Sequence, residues 1–85
     1  MNERIKEILE ELGDIALKKI CYATNAAQQR TVIKDGMDDP EYLSASVRVC
    51  VRNNIECLRR IEELNRREMD LYSEMLKLTE KESQA

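Results

Sequence analysis

From Leu43 to Leu78 apolar or thiol side chains return every seventh residue: Leu43, Cys50, Cys57, Leu64, Leu71 and Leu78. Six consecutive heptad positions predict a long packed helix, with these residues at position d and Val47, Asn54, Ile61, Glu68 and Met75 at position a. Asn54 and Glu68 interrupt the seam. Upstream, Ile5, Leu9, Leu12, Ala16, Ile20, Ala23 and Ala27 keep a helical spacing, and Asn2 suits an N-cap, so a first helix is predicted over 3–34. Gly13 inside it costs ~1 kcal/mol relative to alanine. Because the phase runs through Gly13, the helix is expected to be continuous, with the glycine marking a bend or a close contact.

The strongest punctuation is Asp35-Gly36-Met37-Asp38-Asp39-Pro40-Glu41. Gly36 suits a left-handed C′ position, Asp39 an N-cap, and Pro40 the first position of a helix. A turn over 35–39 and a second helix over 40–81 follow, and so short a connection makes the two helices antiparallel neighbours. The expected fold is all-α, a single domain over 1–85 built as an antiparallel hairpin of two long helices that dimerises into a four-helix bundle.

Pairing across the turn is expected to bring together residues whose numbers sum to about 75, setting Cys21 beside Asn54 and Ile5 beside Asp70. The second helix then overhangs beyond about Tyr72, leaving Leu71, Tyr72, Met75, Leu76 and Leu78 as an apolar tip for a partner to cover. A further stripe, Val51, Ile55, Leu58, Met69, Tyr72 and Leu76, widens the apolar arc of that helix to roughly 160°, against ~100° for an ordinary surface helix. The stripe and the tip are the expected partner-binding surface, used by a second copy of the chain and by another protein.

Composition narrows the chemistry. Histidine is absent, which removes imidazole bases and the usual histidine-containing metal sites. Phe and Trp are also absent, the net charge is -3, and no apolar run approaches a membrane span. No signal peptide is read at the N-terminus, and three cysteines without a CxxC pair suit packing in a reduced, cytoplasmic setting. Convergence of Cys21, Cys50 and Cys57 on a metal or redox site competes with this reading, but packing of thiols as small hydrophobes is preferred.

Three polar features remain. Tyr22, Thr24, Asn25, Gln28, Gln29, Arg30, Asn53 and Asn54 are expected to form a polar belt that sets register or lines a small-ligand pocket. Arg48, Arg52, Arg59 and Arg66 could track phosphates as a nucleic-acid face, although interleaved carboxylates at four-residue spacing are expected to neutralise the row. Glu68 is expected to pair with Lys6. No catalytic residue, cofactor or metal ligand is expected. The function expected is a non-enzymatic interaction or regulatory protein, with an RNA-binding or other nucleic-acid-binding hairpin dimer, or a small phage or mobile-element inhibitor of a host factor, as alternatives.

Overall fold

The computed structural model describes residues 2–37 and 45–83, apart from the side chains of Glu82 and Ser83. Two helices, α1 (Glu3–Gly36) and α2 (Ser46–Ser83), pack against each other as an antiparallel hairpin 67 Å long and about 15 Å across. Asn2 caps α1 as expected, its side-chain oxygen accepting from the Arg4 backbone N–H at 2.8 Å. The helix passes through Gly13 without a break. A Cβ placed there would meet nothing within 4 Å, so the close contact expected at Gly13 is not made within this chain.

The far end of α1 departs from expectation. Gly36 is right-handed and helical, buried as the last residue of α1, and the Met37 N–H bonds Ile33 O at 3.1 Å. The left-handed role assigned to Gly36 is therefore incorrect, and the helix runs two residues past 34. The expected cap and start of the second helix at Asp39, Pro40 and Glu41, with the first heptad residue Leu43, lie outside the described residues.

Along α2 the heptad holds: Val47, Cys57 and Leu71 are buried, and Cys50, Asn54, Ile61, Leu64, Glu68, Met75 and Leu78 are half-buried. On α1, besides Arg4 and Glu11 beside the seam, the buried and half-buried positions are Ile5, Ile8, Leu12, Ile15, Lys19, Tyr22, Ala26, Gln29, Ile33 and Gly36, alternating steps of three and four. The packing face of α1 is thus a second heptad seam, with Ile5, Leu12, Lys19, Ala26 and Ile33 at a and Ile8, Ile15, Tyr22, Gln29 and Gly36 at d. It replaces the expected face, of which Leu9, Ala16, Ile20, Ala23 and Ala27 are exposed. The physical reason is that a helix packed along its length against an antiparallel neighbour follows a 3.5-residue repeat, whereas the 3.6 repeat of an isolated helix drifts off the seam over six turns.

Register also shifts. Arg4 pairs with Glu74, Glu11 with Arg67, Ala26 with Asn54 and Lys19 with Glu68, so numbers sum to between 78 and 87 rather than about 75. The shift draws the supposed overhang into the hairpin. Leu71, fully buried, forms the core with Ile8, Leu12 and Ile15, and Leu64, Met75 and Leu78 pack against it. Those four apolar side chains make the open end the best-packed part of the molecule. Toward the turn the seam is thinner, being built from Ala26, Gly36, Val47 and Cys57 around the amides of Gln29 and Asn54.

A Leu71→Ala variant is expected to lose about 2–5 kcal/mol of stability in chemical denaturation, because truncation leaves a cavity between the helices. Leu17→Ala, on an exposed side chain of α1, should change stability by no more than about 0.5 kcal/mol.

Candidate interaction faces

The seam divides the hairpin surface into two flanks of opposite character. In an antiparallel pair, the g position of one helix faces g of the other, and e faces e. Arg4, Glu11, Arg67 and Glu74 are all at g, and they bridge one flank toward the open end. Arg4 donates to both carboxylate oxygens of Glu74, with Nη2 to Oε1 at 2.8 Å, and Arg67 does the same to Glu11, at 2.9 Å. These forked bonds hold the Glu74 and Glu11 carboxyls below the usual range and raise the Arg4 and Arg67 guanidinium groups.

The opposite flank carries positions e and b of both helices. From α1 it presents Leu9, Gly13, Ala16, Ile20, Ala23 and Ala27, and from α2 Val51, Ile55, Leu58, Met69, Tyr72 and Leu76. All twelve are exposed, Met69 to 71 % and Ile20 to 62 %. Between the helices on this side lies an open groove of about 390 Å³, lined by Ala16, Ile20, Ala23 and Ile61 over the Lys19–Glu68 ion pair of 3.2 Å. Small side chains at Ala16 and Ala23 leave the groove shallow enough for a helix to approach.

The expected partner surface is therefore split. Val51, Ile55, Leu58, Met69, Tyr72 and Leu76 are exposed on this flank, whereas Leu71 is buried in the core with Met75 and Leu78 half-buried against it, so these three do not form an open tip. Sequence reasoning missed the α1 half of the face because it had assigned Leu9, Ala16, Ile20, Ala23 and Ala27 to the seam. The signal that separates them is the alternating three-four spacing of Ile5, Ile8, Leu12 and Ile15, obscured further along by Lys19, Tyr22 and Gln29 at core positions.

The polar belt contracts to three residues. Tyr22, Gln29 and Asn54 are half-buried, and Asn54 donates to Ala26 O at 3.0 Å, tying α2 to α1 near mid-length. Gln29 Oε1 is buried without a hydrogen-bond partner. Thr24, Asn25, Gln28, Arg30 and Asn53 are exposed and do not join them, Thr24 donating instead to Ile20 O within its own helix. Glu68 pairs with Lys19 and not Lys6, a consequence of the register. The cysteines do not converge: Cys21 is exposed, Cys50 half-buried and Cys57 buried, all as free thiols, and no cluster able to hold a metal exists among the described residues.

The arginine row is less neutralised than its spacing implies. Arg66 pairs with Glu62 at 2.8 Å and Arg60 with both Glu56 and Glu63, but Arg67 has turned to Glu11. Arg48, Arg52 and Arg59 have no ion-pair partner among the described residues. No helix is long and apolar enough to cross a membrane among the described residues. No protein family, no curated protein and no solved structure matches the chain, so its faces stand on their own geometry.

Because the Glu11 and Glu74 carboxyls titrate below their ordinary 4.5, their contribution to stability is complete above that pH and is lost as the pH falls through their depressed values. The thermal midpoint is expected to fall on acidification below pH 4.5, and a Glu11→Gln, Glu74→Gln double variant should show a smaller fall. The effect should be modest, since both pairs are solvent-accessible.

Proposed function

We propose that the chain is a non-enzymatic helical interaction protein that self-associates through the e and b flank, forming a four-helix bundle with a second copy and presenting helical surface to a protein partner. The observation that carries this reading is the asymmetry of the two flanks. One carries forked arginine–carboxylate bonds across its open half, and the other exposes apolar stripes from both helices, interrupted on α2 by Glu62 and Asn65. An exposed apolar surface of this extent is costly in water and is the usual mark of an interaction site. The thin, partly polar seam toward the turn adds support, since a hairpin with so few large buried side chains gains much by burying a second face.

Arg48, Arg52 and Arg59 favour a second reading, in which the exposed cations of α2 engage a nucleic-acid backbone. The chain's net charge of -3 and the apolar character of the adjoining flank weigh against it. Retention on a polyanion column that falls with salt and is lost on substitution of Arg48, Arg52 and Arg59 would favour this reading. Elution near the void is the expected result.

Light scattering across a dilution series should give a dimer or larger symmetric assembly. Leu58→Glu and Tyr72→Glu, both on exposed side chains, should yield monomer with helical content retained. An unchanged mass in these variants, or a monomer in the unsubstituted chain at all concentrations, counts against self-association through this flank.

A further inference from the structure

We infer that the occupant of the apolar flank is a second copy laid antiparallel, with its open end over the turn end of the first. This rests on the self-association reading and deepens it by assigning the orientation of the pair. The charges bordering the flank decide it. Taking positions b, e and f together, the half nearer the turn carries Arg30, Lys34, Arg48, Arg52 and Arg59 and no carboxylate among the described residues. None of these five cations has an ion-pair partner there. The half nearer the open end carries Glu3, Glu10, Glu62 and Glu80 against Lys6 and Arg66.

Two copies packed turn to turn would set these five cations, which have no ion-pair partner among the described residues, against five of the same sign, while antiparallel packing sets them against the acidic rim. Area is sufficient: a face 67 Å long and 15 Å wide amounts to about 1,000 Å², above the ~800 Å² each partner buries in a standard interface. Gly13 fits the same arrangement. It lies on this flank with open space above it, and a glycine in an exposed helix interior costs ~1 kcal/mol that nothing within one chain explains. Close approach of a second helix explains it.

A symmetric antiparallel pair centred on the middle of α1 (Glu3–Gly36) brings Lys34 of one copy level with the segment between Glu3 and Glu10 of the other. Within one chain Glu10 and Glu3 lie at least 24 helical positions from Lys34, about 36 Å or more, so a zero-length carbodiimide link to either forms only between copies. The experiment is such cross-linking of the unmodified protein followed by peptide mass spectrometry, alongside sedimentation of a Gly13→Gln variant. Expected are links from Lys34 to Glu3 or Glu10, and a dimer at least tenfold weaker in Gly13→Gln with helical content unchanged.

A dimer lacking Lys34 links to the open half overturns the antiparallel orientation while leaving self-association intact. Unchanged dimer affinity in Gly13→Gln overturns the close approach. A monomer at every concentration removes both this inference and the reading it rests on. A monomer that binds duplex DNA through the turn-half arginines replaces the second copy with a polyanion.

Discussion

Everything in this molecule depends on two heptad seams packed antiparallel. Once α1 and α2 share a 3.5-residue repeat, the a and d residues are committed to each other, and the remaining surface is sorted into two flanks by geometry alone. The g flank holds Arg4, Glu11, Arg67 and Glu74, which satisfy one another across the helix pair. The e and b flank has no such partners. Its apolar residues come from both helices because the antiparallel arrangement brings like positions to the same side.

The seam is uneven along its length. Ile8, Leu12, Ile15 and Leu71 provide an apolar core at the open end, whereas the half nearer the turn is built on small residues and on the amides of Gln29 and Asn54. The bond from Asn54 to Ala26 O ties the helices at one level, a familiar use of a polar a residue, at the expense of packing strength. An orphaned Gln29 oxygen adds to that cost, since a buried acceptor without a donor is unfavourable by about 1–3 kcal/mol. The half with the weaker core also carries Arg48, Arg52 and Arg59, which have no ion-pair partner among the described residues.

What the sequence by itself determined was the class of fold and the exposed apolar side of α2. The unbroken heptad from Cys50 to Leu78 could be satisfied only by a long helix with a packed seam, and a short turn left antiparallel pairing as the local solution. Val51, Ile55, Leu58, Met69, Tyr72 and Leu76 could be placed off that seam because their phase relative to it is set within one helix. The absence of histidine likewise restricted the chemistry without reference to any contact.

Only the tertiary structure decided which face of α1 packs, because Ile5, Leu9, Leu12 and Ala16 and the competing Ile5, Ile8, Leu12 and Ile15 differ by a small drift in phase that a single helix does not resolve. Register followed from the same choice. The fit of Ile8, Leu12 and Ile15 around Leu71 moved α2 along α1, packed Met75 and Leu78 half-buried against that core, and gave Glu68 to Lys19. The juxtaposition of the two apolar stripes on one flank is a property of the pair, set by how two helices lie against each other, and neither helix carries it alone.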